Sequence, residues 1–218
     1  MNIIIFGPQG SGKGTQARFL SEKLGLFYLE SGNLCRKLAE TNHRVKEIVN
    51  KGLPVPDKEI ANYILRYLEE NVPEGKNIIF DGYPRFISQY QILKKWLAGK
   101  GSKIDLAILL EISEGETIKR LSSRRTCEKC GLVYNLVSNP PKVSSQCDKC
   151  GGKLIQREDD YPEAIKKRLK ELWGNTGPLI DVVEKEGILR RINGEKPISE
   201  ISEELLKLLQ KLNEKTDD

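Results

Sequence analysis

The 218-residue sequence has no apolar stretch close to the roughly 18 residues that a membrane-spanning helix needs. Its first residues show no basic region and no small-residue cleavage site, which would mark a secretory leader. It also has no long block of like charge, because 36 basic and 31 acidic residues are mixed along the chain and the net charge is +5. These absences predict a cytoplasmic protein without a membrane or nucleic-acid partner, and small anionic ligands fit the charge better than a polyanion.

Cysteine is scarce, and four of the five cysteines form two C-x-x-C pairs, Cys127 with Cys130 and Cys147 with Cys150. In a reducing compartment this spacing indicates a four-thiolate zinc site rather than disulfides. Four thiolates leave no coordination position for water, and a segment of this size cannot bury enough apolar surface to fold alone, so we expect a structural zinc. The fifth, Cys35, is expected to be a small apolar residue on the buried face of a helix.

Short apolar runs alternate with longer amphipathic segments, which predicts an α/β fold with a parallel sheet covered by helices on both faces. The predicted strands are Asn2–Phe6, Phe27–Glu30, 77–81, 106–112 and 188–192. The predicted helices are 13–24, 86–97, a long helix from Pro162 capped by Asp159 or Asp160, and 198–212. Segments 31–60 and 125–160 do not follow the alternation, so we predict two insertions into a core of residues 1–30, 61–124 and 161–218.

The stretch GPQGSGKGTQ, residues 7–16, directly follows the first predicted strand. It matches the phosphate-binding pattern G-x-x-x-x-G-K-[ST] at Gly7, Gly12 and Lys13, with Gly14 at the position of the hydroxyl. Backbone N–H groups of such a turn converge on phosphate oxygens, and the lysine adds a positive charge. A plain glycine turn is the alternative, but the strand before it and the helix after it favour a nucleoside triphosphate site.

A second apolar run, IIFDGYPR, ends in Asp81 and brings a carboxylate to the same edge of the predicted sheet. Since Gly14 offers no hydroxyl, magnesium binding should depend more on Asp81, water and the phosphates. Arginines also lie near predicted element ends, where guanidinium groups can stabilise a transferring phosphoryl group. Any single arginine can equally be a surface ion pair, so the prediction depends on the set: Arg36, Arg85, Arg120, Arg124, Arg157 and Arg168.

The phosphate loop, the DGYPR segment, LSSRR before the cysteines and QREDDYPEAIKKRL after them occur in this order. Together they resemble the long-lid, zinc-bearing adenylate kinases over essentially the whole chain. The pattern of that family carries Gly and Thr after the lysine, so Gly14 and Thr15 conform to it. The resemblance implies a P-loop NTPase-type fold, an insertion at 31–60 that closes over a monophosphate, and a lid at 125–160. It further implies reversible phosphoryl transfer from MgATP to AMP, giving two ADP, and we expect a monomer.

The resemblance also implies roles for individual residues. The ATP-binding positions are Gly10, Ser11, Gly12, Lys13, Gly14, Thr15, Arg120, Arg124, Tyr134 and Lys196. The AMP-binding positions are Ser31, Gly32, Arg36, Val55, Asp81, Gly82, Arg85, Gln89, Arg157 and Arg168. The catalytic set is Lys13, Asp81, Arg85, Arg124, Arg157 and Arg168. Because the accepting phosphate oxygen of AMP is already an anion, no general base is needed, and His43 is expected to be a surface residue.

Three alternatives remain at this stage. A related kinase could use GTP as donor or prefer UMP or CMP as acceptor, although the long cysteine-bearing lid argues against a short-lid pyrimidine enzyme. The cysteine segment could be a zinc ribbon that binds nucleic acid, but its one aromatic residue is Tyr134 and it has no stripe of lysines and arginines. A catalytically silent binding protein is disfavoured because the phosphate-binding charges are all present.

Overall fold

The computed structural model describes residues 1–50, 57–157 and 160–214, and its centre is a parallel sheet of order β2-β3-β1-β4-β8. The strands are β1 (Asn2–Phe6), β2 (Phe27–Glu30), β3 (Ile78–Asp81), β4 (Leu106–Glu111), β5 (Arg124–Cys127), β6 (Val133–Asn135), β7 (Leu154–Ile155) and β8 (Leu189–Asn193). The predicted parallel sheet is therefore confirmed, and the predicted strand ends differ from the observed ones by one residue at β3, β4 and β8.

Helices cover both faces of this sheet. Their bounds are α1 (Lys13–Leu24), α2 (Ser31–Thr41), α3 (His43–Asn50), α4 (Asp57–Asn71), α5 (Ile87–Ala98), α6 (Glu114–Ser122), α7 (Pro162–Lys185) and α8 (Ile198–Glu214). No helix within the described ranges is both long and apolar enough to cross a membrane.

Strand β1 shows why a continuous apolar run forms the centre of the sheet. Ile3 and Ile5 belong to the hydrophobic cluster that includes residues of α1 and α8, whereas Ile4 and Phe6 belong to the cluster that includes residues of α4 and α5. Successive side chains of a strand point to opposite faces, so both faces of β1 require apolar residues. All five residues of β1 are buried, which fixes the end of the strand where the phosphate loop begins.

The two predicted insertions pack differently. In the first, Leu34 and Val45 join the same hydrophobic cluster as the sheet residues, so α2 and α3 extend the main core. In the second, β5, β6 and β7 form a separate antiparallel sheet of order β6-β5-β7. This cysteine module, residues 124–157, has its own small cluster that includes Tyr134 and Leu154.

The start of α7 differs from the prediction. The residue before the helix is Tyr161, and it makes no side-chain capping bond. Asp160 is not a cap, because its carboxylate is fully buried and accepts hydrogen bonds from an arginine. The other predicted cap, Asp159, lies outside the described residues.

Candidate active site

The phosphate loop leaves β1 in a conformation that requires glycine at its first position. Gly7 has φ +142°, and a Cβ there would lie 2.6 Å from the backbone oxygen of Leu110 and 2.8 Å from Ser11 Oγ. The backbone N–H of Ser11 donates to the carbonyl of Pro8 at 3.1 Å and closes the turn. The loop then enters α1 at Lys13, so the N-terminal N–H groups of the helix lie at the end of the loop.

Lys13 is the positive group at the centre of the site. Its Nζ donates to the carbonyls of Gly7 at 2.7 Å and Pro8 at 2.8 Å, so the ammonium group folds over the loop. The pKa of Lys13 is lowered to about 8, mainly by burial; the charge of Asp81 opposes this shift, and the charges of Arg85, Arg124 and Arg168 add to it. The predicted lysine, carboxylate and three of the predicted arginines therefore act on one another electrostatically.

Asp81 ends β3 beside the end of β1, where it pairs in register with Ile5. The Tyr28 hydroxyl donates to Asp81 Oδ2 at 2.9 Å. Burial raises the pKa of the Asp81 carboxyl, while the charge of Lys13 and the hydrogen bond from Tyr28 lower it. A Cβ at Gly14 would lie 3.4 Å from Asp81 Oδ2 and 3.5 Å from the Tyr28 hydroxyl. The first turn of α1 therefore lies in van der Waals reach of the carboxylate, and a Cβ at Gly14 would make ordinary contacts with it.

Two predicted arginines, Arg124 and Arg168, share one buried carboxylate. Arg124 Nε donates to Asp160 Oδ2 at 2.7 Å, and Arg124 Nη2 donates to the other oxygen of the same carboxylate. Arg168 Nη1 lies 3.5 Å from Asp160 Oδ1. Because Asp160 is fully buried, it fixes the position of both guanidinium groups at the border between the cysteine module and α7.

Arg120 joins the phosphate loop to the loop after β8. Its Nη1 donates to the carbonyl of Gly194 at 2.8 Å and to that of Gly10 at 3.4 Å. Glu116, one turn earlier on α6, accepts from Arg120 Nε at 2.7 Å and orients the guanidinium group. The neighbouring Lys196 donates from Nζ to Glu204 Oε2 at 2.7 Å.

The segment after β3 contains several of the predicted AMP positions. The backbone N–H of Arg85 donates to Gln89 Oε1 at 2.8 Å, and Arg85 Nε donates to the carbonyl of Gly82 at 2.8 Å. Ser31, which begins α2, is buried, and a Cβ at Gly82 would lie 2.7 Å from its Oγ. The turn after Asp81 therefore packs directly against the start of α2.

The other predicted contacts are more dispersed. Arg36 Nη2 donates to Glu30 Oε1 at 3.3 Å, and Arg157 Nε donates to Thr126 Oγ1 at 3.0 Å in β5. Thr15 is exposed on the first turn of α1. Val55 lies outside the described residues.

The four paired cysteines come together in the cysteine module. Their four sulfur atoms all lie within 4.8 Å of one another. The Cys127 and Cys150 sulfurs are 3.4 Å apart, and those of Cys130 and Cys147 are 3.6 Å apart. Zinc bound by four thiolates at about 2.3 Å gives sulfur separations of about 3.8 Å, so the donors suit a structural zinc and leave no open position.

Tyr134 packs in the small core around these cysteines. It is buried, its hydroxyl lies 3.5 Å from Cys147 Sγ, and it accepts from the backbone N–H of Asp148 at 2.8 Å. The predicted contact of Tyr134 with ATP stays a prediction; in this structure the ring and the hydroxyl make their contacts inside the module.

Sequence reasoning missed the acidic and phenolic partners of the predicted residues: Asp160, Glu116, Glu30 and Tyr28. Glu116 had a usable signal, since it precedes Arg120 by four residues on one helix. The partners of Asp160 and Tyr28 are distant in sequence, so their contacts required the fold.

A glycine-rich loop after the central strand, a carboxylate at the end of the adjacent strand and convergent arginines define a P-loop phosphotransferase. The family model described as adenylate kinase matches residues 5–188. The adenylate kinase of Archaeoglobus fulgidus is 40% identical over 216 residues, which cover 97% of this chain and 99% of the relative. That of Pyrococcus horikoshii is 42% identical over 215 residues, covering 96% of each, and that of Thermosipho melanesiensis is 37% identical over 97% of this chain and 100% of the relative.

The chain belongs to the adenylate kinase family. It is a phosphotransferase that acts on ATP, AMP and ADP, with magnesium supplied together with ATP. The cysteine module has the donor set for a structural zinc.

Proposed function

We propose that the phosphate loop binds ATP, that residues of α2 and of the turn after β3 form a pocket for AMP, and that phosphoryl transfer takes place between the two nucleotides beside Lys13. The observation that carries this assignment is the position of Lys13, which folds over the phosphate loop, with Asp81 at the end of the adjacent strand and with Arg85, Arg124 and Arg168 near enough to lower its pKa. A transferring phosphoryl group spreads negative charge over several oxygens, so a fixed group of cations beside one carboxylate suits this reaction.

The chemistry needs positioning and charge stabilisation rather than proton removal. The AMP phosphate oxygen that attacks is already an anion, and the described part of the chain offers no histidine at the loop, since His43 is exposed on α3 beside Glu47. Magnesium bound with ATP would offset phosphate charge, and Asp81 is the carboxylate placed to hold its water. Lys13 would move from the loop carbonyls to the phosphates, where its charge is more favourable.

Asp160 would act on the reaction through Arg124 and Arg168. Since one buried carboxylate holds both guanidinium groups, they approach the nucleotide as a pair with little loss of side-chain freedom on binding. We propose that this pair contacts the phosphates of the bound nucleotides, with Arg120 on the ATP side.

We also propose that residues 31–60 and 125–160 are units that close over AMP and ATP, and that residues 1–30, 61–124 and 161–218 form the core between them. The separate sheet and separate hydrophobic cluster of the cysteine module support this division. Closure of both units would exclude water from the phosphoryl group and suppress hydrolysis. We further propose that the protein works in the cytoplasm as a monomer. Light scattering on the purified chain tests the oligomeric state.

The direct test is to follow ADP in a mixture of the protein, AMP, ATP and magnesium. The assay is then repeated with GTP in place of ATP, and with UMP or CMP in place of AMP.

Replacing Lys13 by Ala should lower kcat by about a hundredfold or more, because one preorganised charge at the transferring group is lost. Lys23, an exposed lysine in the last turn of the same helix, provides the matched control Lys23→Ala. Equal rates for the two variants would refute the assignment of Lys13.

A further inference from the structure

Glu30 places a second carboxylate at the edge of the sheet that carries Asp81. It is the last residue of β2, and it pairs in register with Asp81 at the end of β3. Residues in register on neighbouring strands present their side chains to the same face of the sheet. Glu30 also directly precedes Ser31, where α2 and the proposed AMP pocket begin.

The Glu30 carboxylate is shared between two arginines of different elements. Oε1 accepts from Arg36 Nη2 at 3.3 Å, and Oε2 accepts from Arg18 Nη2 at 3.0 Å. Arg18 is held from the other side by Tyr28, because its guanidinium group lies 5.7 Å from the centre of the Tyr28 ring. One of the two arginines is therefore a proposed AMP contact, and the other lies on α1.

The pair between Glu30 and Arg36 can exchange partners. The side chain of Arg36 is 47% exposed and that of Glu30 is 27% exposed, so water reaches the contact. Exposed ion pairs of this kind are weak, and a phosphate group offers a guanidinium more negative charge than a carboxylate does. A phosphate monoester that enters the pocket can thus take Arg36 from Glu30, while Glu30 retains Arg18.

We propose that Glu30 is an internal competitor for Arg36 that sets the affinity of the enzyme for AMP. The proposal depends on the assignment of Arg36 to AMP made above. In the empty site Glu30 occupies Arg36, and AMP must displace it. Arg18 weakens this competition, because its positive charge offsets part of the negative charge of the same carboxylate. Glu30 is thus a residue that tunes AMP affinity without contacting the reacting atoms.

Two substitutions with opposite expected effects test the idea by calorimetric titration of the full chain with AMP alone. Glu30→Gln keeps the size of the side chain but removes the competing charge, so the Kd for AMP should fall about two- to fivefold. Arg18→Gln removes the second arginine from Glu30, so Glu30 should hold Arg36 more strongly and the Kd for AMP should rise by a similar factor. Since Arg18 acts through Glu30, the double variant should match Glu30→Gln rather than the sum of the two changes.

The matched control is Glu184→Gln, which removes a carboxylate from another exposed arginine pair, that with Arg191 between α7 and β8. It should leave the Kd for AMP unchanged. In steady-state assays Glu30→Gln should lower KM for AMP while KM for ATP and kcat stay within about twofold, and added salt should reduce the difference from wild type.

An unchanged or higher Kd for AMP in Glu30→Gln would overturn the proposal. A shift in magnesium requirement in place of a shift in AMP affinity would also overturn it, because Glu30 would then serve the metal. If Arg36→Ala bound AMP as tightly as wild type, the proposed AMP site itself would be wrong. The outcome in which Arg36→Ala binds weakly and Glu30→Gln binds like wild type refutes the competition alone.

Discussion

The carboxylate of Asp160 accepts two hydrogen bonds from the guanidinium group of Arg124, which lies 36 positions earlier in the chain. It is also within 3.5 Å of Arg168 on α7. The pair therefore joins the first strand of the cysteine module to the segment just before the long helix. Two of the arginines that act on Lys13 therefore contact the same buried carboxylate.

Replacing Asp160 by Asn should therefore affect both stability and rate. Removing one partner of a buried charge pair leaves the other unpaired, so we expect a loss of about 3 kcal/mol or more in the free energy of unfolding. Urea unfolding measures this loss, and kcat should fall with it because Arg124 and Arg168 lose their common support. Asp148→Asn, at an exposed carboxylate of the same module, is the control and should change neither quantity much. If the two variants unfolded alike, the proposed role of Asp160 would be wrong.

Binding of ATP should be coupled to proton uptake at alkaline pH. Burial and the neighbouring arginines hold the pKa of Lys13 at about 8, so part of the population is neutral above that pH. A bound triphosphate favours the ammonium form and raises the pKa, so the protein should take up about half a proton per ATP near pH 8 and more at pH 9.

Calorimetry in buffers of different ionisation enthalpy measures this uptake. The same titration with Lys13→Met is the control and should show no uptake from this site. Uptake that persisted in Lys13→Met would assign the proton to another group.

Among the loop glycines, Gly7 should tolerate alanine least. Its Cβ would come within 2.6 Å of a backbone oxygen at φ +142°, whereas a Cβ at Gly12, φ +93°, meets nothing within 4 Å among the described residues. Gly7→Ala therefore adds a steric clash to backbone strain of order 1–3 kcal/mol, and Gly12→Ala should show the strain alone. Thermal unfolding compares the two, and equal melting temperatures would contradict the close approach of Gly7 to β4.

Removal of zinc should lower thermal stability more than catalysis. The metal would hold a module whose own core is small, so chelation should reduce the melting temperature while kcat at low temperature changes little.

Gly152→Ala provides a test that does not use activity, because its Cβ would lie 2.9 Å from Cys127 Sγ and crowd the ligand. Zinc affinity measured with a chromogenic chelator should fall about tenfold. Gly115→Ala on α6 is the control, and equal zinc affinity in both variants would contradict the crowding.

The parts of the fold that could be predicted are those set by short patterns. The apolar run of β1 must be buried on both faces, the glycines with Lys13 need a particular turn, and two C-x-x-C pairs at Cys127 and Cys147 need one metal. Each of these follows from residues that are close together in the chain. The parallel sheet and the cysteine cluster in the structure agree with those predictions.

Contacts between distant segments could not be obtained in this way. Asp160 was predicted to be a helix cap from its position before Pro162, because local sequence does not show that Arg124 needs a buried partner. Tyr134 is a second example. An aromatic residue at this position in the sequence could stack on a base or pack in a core, and local sequence does not show that it packs in the small core of the cysteine module.

The four cysteines of the cysteine module differ in burial. Cys127 and Cys147 are buried and form half of the module's small core, whereas Cys130 is exposed and Cys150 is only partly buried. Histidine can replace cysteine as a zinc ligand, but it is larger and would displace core neighbours at the two inner positions. Histidine should therefore be accepted more readily at Cys130 or Cys150 than at the inner pair, and a variant without the metal needs a new packing or hydrogen-bonding arrangement at Cys127 and Cys147.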